Sequence, residues 1–178
     1  IGDMLCTTPM MRSIRNFYPE SNIILVTKKS TGFEEIFENN NSPVNEVRYF
    51  EHGFENFLKL VKELRENRID LAIVPSTVAF SATNHLIAYY SNARYRAGVR
   101  SKDYELNKIG YTLNIKKDFL WDLNKTHQIE RNLDIIRQLS ISPLEKAITL
   151  SLRDESIEFA EKFFQNNFSD KSKIVIGF

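Results

Sequence analysis

The chain has 178 residues, with 24 Lys and Arg against 23 Asp and Glu and a net charge of +1. That length suits one domain burying roughly 70 % of the surface its unfolded form exposes, and the near-neutral balance gives no reason to expect nucleic acid as a partner. The one cysteine, Cys6, excludes an internal disulfide framework and has no partners at zinc spacing, so it reads as a buried structural thiol in a reducing compartment.

Met10, Met11, Ile14, Phe17 and Tyr18 recur at spacings of three and four, with Pro9 near the start. This predicts one amphipathic helix over 3–18. A β-branched run at 23–26 predicts a strand, and the capping-box spacing of Thr31 and Glu34 predicts a helix after it. A weakly alternating strand at 44–50 follows, then a helix with Phe54, Phe57, Leu58, Val61 and Leu64 on one face. The short run at 70–74, Asp70 followed by continuous apolar residues, reads as a strand buried on both faces of a parallel sheet, and 79–90 has helical length. Strands separated by helices of this size need crossover connections, so the fold class is doubly wound α/β, Rossmann-like, mostly parallel, with helices on both faces.

Further along, 94–99 reads as a strand, 102–123 as a loop region, and 126–139 as a helix capped by Thr126 with Ile129, Leu133 and Ile136 inward. A strand at 147–152, a capping box at Ser151 to Asp154, and a helix turning Ile157, Ala160, Phe163 and Phe164 inward come next, with a strand at 173–178 last. No apolar run approaches the roughly 20 residues of a membrane span. Both ends read as cuts: the Gly-Asp turn at the start implies a strand upstream, and the last run implies a further sheet.

Ligands of open α/β sheets gather at the carboxyl ends of the strands, which selects four places. Gly2 permits a tight turn, and Asp3 beside it is either a general base or a helix cap whose hydrogen bonds would weaken it as one; spacing alone favours the cap. Ser76 and Thr77 follow the strand at 70–74, with Ser81, Asn84 and His85 beyond; they suit a sugar or are ordinary caps. Arg94, Arg96, Arg100 and Lys102 surround Gly98, either to clamp phosphate or carboxylate or to guard an edge strand against aggregation. His127 to Arg131 open a helix whose dipole Glu130 complements. A phosphate loop, a dinucleotide fingerprint, a zinc pattern and a serine elbow are all absent from the sequence.

Taken in order, these segments resemble family nine glycosyltransferases, the heptosyltransferase group. The resemblance rests on Gly2-Asp3 leading into a helix with Thr8-Pro9 and Arg12, on Tyr18-Pro19 and the strand at 23–26, on 70–74, on Arg94 to Arg100 with Gly98, and on His127-Gln128-Ile129-Glu130-Arg131-Asn132-Leu133. It implies the amino-terminal half of a GT-B enzyme: an acceptor-side domain over 1–170 lacking its first strand, with 171–178 opening a truncated donor-binding domain. It also implies that Asp3 deprotonates an acceptor hydroxyl for inverting, metal-independent attack on a nucleotide sugar such as ADP-heptose, with no cofactor. Gly2, Ser76, Thr77, Arg96, Arg100 and Arg131 become acceptor-binding candidates, the arginines for acceptor phosphates. The partners implied are the nucleotide-sugar donor and a lipid-linked, lipopolysaccharide-type glycan. The location implied is cytoplasmic, with peripheral contact at the inner membrane through the acceptor lipid or a patch such as Tyr89, Tyr90 and Lys102. The half-length chain is expected to be inactive alone. Where many members carry glycine after the strand at 70–74, this chain has Pro75-Ser76-Thr77, which points to an unusual acceptor. The alternative is a stand-alone Rossmann-like binding or regulatory module; an epimerase or dehydrogenase is disfavoured because its fingerprint and Tyr-x-x-x-Lys pair are missing.

Overall fold

A computed structural model of the chain describes residues 2–28, 36–39, 42–122, 124–150 and 152–168. The capping box at Thr31 to Glu34 and the strand at 173–178 lie outside these residues, as does Ser151.

The helix expected over 3–18 is two helices. The first, α1, is a single turn, Gly2–Leu5, and α2 runs Thr8–Phe17. Pro9 explains the break: it has no N–H to give the Leu5 carbonyl, as a continuous helix would require. The Thr8 hydroxyl donates to that carbonyl instead, at 2.8 Å, and the Thr7 hydroxyl donates to Met4 O at 2.6 Å.

Strands β1 (Ile24–Thr27) and β2 (Glu46–Tyr49) pair in parallel. Helix α3 (Phe54–Glu66) leads to β3 (Leu71–Val74), and α4 (Ala82–Tyr90) leads to β4 (Tyr95–Lys102). Strand β4 is the centre of the second sheet, parallel to β3 on one side and to β6 (Ile115–Phe119) on the other, while the short β5 (Glu105–Leu106) folds back antiparallel on its end. Helices cover both faces, and the alternation of side chains along a strand shows it. Ile73 faces the cluster of Met10, Leu133 and Ile136 from α2 and α5 (Gln128–Arg137), while Ala72 and Val74 face Ala88 of α4 and Leu113. The α/β fold class read from the sequence is the fold observed.

Several elements differ from expectation. The region 102–123 is not a loop: it contains β5, a 3-10 turn at Gly110–Thr112 and β6. Strand β3 is only half-buried apart from Val74, because among the described residues it pairs with β4 alone. Residues 147–150 form no strand. Helix α6 (Asp154–Asn167) buries none of its residues, and Ile157, Phe163 and Phe164, expected inside, are exposed. Phe54 and Leu58 of α3 are exposed as well, so that helix packs through Leu60, Val61 and Leu64. Cys6 is half-buried rather than enclosed.

Gly98 of β4 lies close to its sheet neighbour Val74 and to Leu113 at the end of the 3-10 turn. A Cβ at Gly98 would stand 2.8 Å from Leu113 Cδ1, the end of a side chain, and 3.1 Å from the Val74 carbonyl, so a larger residue there requires both neighbours to shift.

Candidate active site

Strand β3 ends at Val74, and two successive tight turns carry the chain inward. Ser76 N–H donates to Val74 O and Thr77 N–H to Pro75 O, both at 2.9 Å. Ser76 and Thr77 are thereby buried. The Thr77 hydroxyl donates to Asn132 Oδ1 at 2.9 Å and accepts from Gln128 Nε2 at 2.6 Å. Arg131 donates from Nη1 to the Thr77 carbonyl at 3.2 Å and from Nη2 to Gln128 Oε1 at 2.7 Å. Asn132 Nδ2 donates to the Cys6 carbonyl at 2.9 Å. One buried polar network thus joins the α1–α2 junction, the exit of β3 and the start of α5.

Of the four places selected from the sequence, three meet here: the Asp3 turn, Ser76-Thr77, and the segment opening α5. Gln128 and Asn132 had no assigned role, yet they make the connections. Positions 128, 131 and 132 are spaced i, i+3, i+4, which puts them on one helical face, and that spacing is the signal by which they could have been found. The cap of α5 is His127, whose Nδ1 accepts from Ile129 N–H at 3.2 Å, not Thr126, whose hydroxyl donates to the Trp121 carbonyl. Glu130 spends its charge on Arg137 and Lys146, and the Lys146 hydrogen bond leads the influences that lower its pKa.

Asp3 sits within the first turn of α1, exposed to solvent. Among the described residues its carboxylate has no hydrogen-bond or ion-pair partner, so the cap seen in its spacing does not form. None of its acceptor sites is used by the described residues, and they can take a ligand hydroxyl. Gly2 beside it begins α1 without a left-handed backbone angle, and a Cβ there would meet nothing within 4 Å, so no tight turn demands a glycine.

The arginines divide. Arg100 is held by Asp118, with Nε at 2.7 Å from Oδ1 and Nη2 on Oδ2; this pairing, with the Ser101 hydroxyl second, lowers the Asp118 pKa to about 2. Arg96 donates to the Thr112 carbonyl at 2.7 Å and to Ala93 O, and its guanidinium lies 5.5 Å from the Tyr89 ring centroid. Because β4 is a central strand, neither residue guards an edge. Arg131 is buried, its Nε has no hydrogen-bond partner among the described residues, and no carboxylate among them pairs with it. Lys102, expected at the surface beside Tyr89 and Tyr90, is also buried. Its ammonium donates to the Val78 carbonyl, lies 4.9 Å from the Phe80 ring centroid and 3.4 Å from Glu105, and so ties the loop after β3 to the end of β4.

No family model matches the chain. It is 29% identical over 157 residues to Lipopolysaccharide heptosyltransferase 3 of Escherichia coli, a match that takes in 84% of this chain and 43% of that relative. It superposes on the crystal structure of the glycosyl transferase family 9 protein from Veillonella parvula DSM 2008 with a TM-score of 0.68, covering 97% of this chain and 48% of that one at 17% identity. The chain therefore spans less than half the length of either. In sequence it is similar to that lipopolysaccharide heptosyltransferase, and its fold matches one half of a family nine, GT-B glycosyltransferase.

Proposed function

We propose that this chain is the acceptor-side half of an inverting glycosyltransferase that moves heptose or a related sugar from a nucleotide donor to a lipopolysaccharide-type acceptor. The observation that carries this reading is Asp3: an exposed carboxylate, without a partner among the described residues, on a turn that the buried network fastens to the exit of β3. The carboxylate takes the proton of an acceptor hydroxyl, and the hydroxyl oxygen attacks the anomeric carbon. The bond from that carbon to the diphosphate breaks on the opposite face, configuration inverts, and the nucleoside diphosphate leaves. Stabilisation of the leaving diphosphate falls to the donor-binding half. No metal or organic cofactor is assigned.

The similarity to a lipopolysaccharide heptosyltransferase supports the choice of donor and acceptor. Of the three candidate arginines we assign an acceptor phosphate or carboxylate to Arg131, because its Nε has no hydrogen-bond partner among the described residues while Arg100 is paired with Asp118. Among the described residues no helix is long and apolar enough to cross a membrane; we place the protein in the cytoplasm, meeting the inner membrane through the lipid of its acceptor. The test is transfer by the full-length protein from ADP-heptose to lipid-linked acceptors, with the anomeric configuration of the product read by NMR. Inverted product is expected; retained configuration, or no turnover with any nucleotide heptose, would contradict the reading.

A further inference from the structure

We infer that Asn132 is a positioning residue for Asp3: it fixes where the α1 turn stands relative to the acceptor edge of the sheet. The inference rests on the reading of Asp3 as the base. Helix α1 has four residues and buries none of them. A single turn gains too few hydrogen bonds to hold itself, so its position is set by what it touches.

Among the described residues two anchors hold it. The Met4 side chain packs on the cluster of Met11, Phe37 and Val44. The Cys6 carbonyl, at the break that Pro9 imposes, accepts from Asn132 Nδ2 at 2.9 Å. Only the second leads toward the residues beside β3, because the same amide accepts from the Thr77 hydroxyl at 2.9 Å through Oδ1. Asn132 is 1 % exposed and Thr77 0 %, so water cannot take over the Thr77 bond without opening the core, while the Cys6 bond is part-buried. With the amide's two ends committed to different segments, it also fixes the distance between them. Asp3 is three residues from the clamped carbonyl, within the same turn. Loss of the clamp lets the carboxylate wander from the acceptor hydroxyl while the acceptor contacts themselves stay.

The experiment compares the full-length wild type with Asn132→Asp, which keeps an oxygen for Thr77 and loses the donor to Cys6, with Asn132→Ser, which is too short to reach, and with Asp3→Asn. Circular dichroism confirms folding. A fall in kcat of about 10- to 100-fold is expected in both Asn132 variants, with acceptor KM changed less than about twofold, since a displacement of about 1 Å can cost up to about 100-fold. Amide hydrogen exchange over residues 4–8 should accelerate in both. Wild-type kcat and exchange in the folded Asn132 variants, beside an inactive Asp3→Asn, would overturn the positioning role and leave the base standing. A loss carried wholly by acceptor KM would overturn it too. An active Asp3→Asn would remove the base, and this inference with it.

Discussion

Asn107 closes off the ring of His85: its Nδ2 stands 2.9 Å from His85 Nε2 and donates to the Val99 carbonyl at 2.8 Å, while His85 Nδ1 meets Ser81 O at 2.9 Å. Since Asn107 Nδ2 and Ser81 O can only donate and accept respectively, the ring is neutral with its proton on Nδ1. A histidine considered for sugar binding is instead a fully buried brace between α4 and the segment after β5.

Burial lowers the His85 pKa, the Ser81 carbonyl opposing it less strongly. The unfolded chain therefore binds this proton at higher pH than the folded one, and stability that is whole above about pH 6.5 declines as pH falls below it. Urea unfolding between pH 7.5 and 5 should show a steeper decline for wild type than for His85→Gln; equal slopes would contradict the brace.

Gly98→Ala should destabilise by about 1–3 kcal/mol, the usual size of an overpacked contact, because the new methyl meets Leu113 and the Val74 carbonyl. Leu113→Ala in the same chain should recover part of that loss in a double-mutant cycle, since one of the two obstructing groups is then gone. Independent, additive effects would place the two residues out of contact.

Leu133, fully buried among α2 and α5, should lose about 2–5 kcal/mol as alanine. Phe54, 75% exposed, should change by no more than about 0.5 kcal/mol as serine. Denaturant midpoints at unchanged m-value check both.

Asp118 should titrate at about 2 by carbon NMR, and at higher pH in Arg100→Gln, because the Arg100 hydrogen bond is the first cause of its shift. The same variant should leave acceptor KM near wild type, whereas Arg131→Gln should raise it about tenfold, the loss of a charged hydrogen bond being worth about 1.5–3 kcal/mol. Equal effects from the two arginines would contradict their different engagement.

What could be read in the sequence follows from how local each signal is. The runs that became β1 and β3 are unbroken and apolar, and α3 and α5 show their period, so the α/β class followed from residues alone. Strand β6 stayed hidden because Lys116, Lys117 and Asp118 interrupt it; what makes it a strand is pairing with β4, which no local pattern carries. The amphipathic pattern of α6 was read as core, yet period alone does not say what, if anything, covers a face. At the site, Asp3, Ser76, Thr77 and Arg131 could be named because each sits at a strand exit or helix start. The bond from Asn132 to Cys6 spans 126 residues, and only the fold brings its ends together.

The central claim is that Asp3 is the base, and the direct measurement is transfer by full-length wild type beside Asp3→Asn, on ADP-heptose and a lipid-linked acceptor, with folding confirmed by circular dichroism. The account predicts that the folded variant loses turnover by at least about 100-fold, within the usual range for a removed general base, while donor binding persists. Turnover near wild type in Asp3→Asn would contradict it and leave that carboxylate a surface group at the head of a helix.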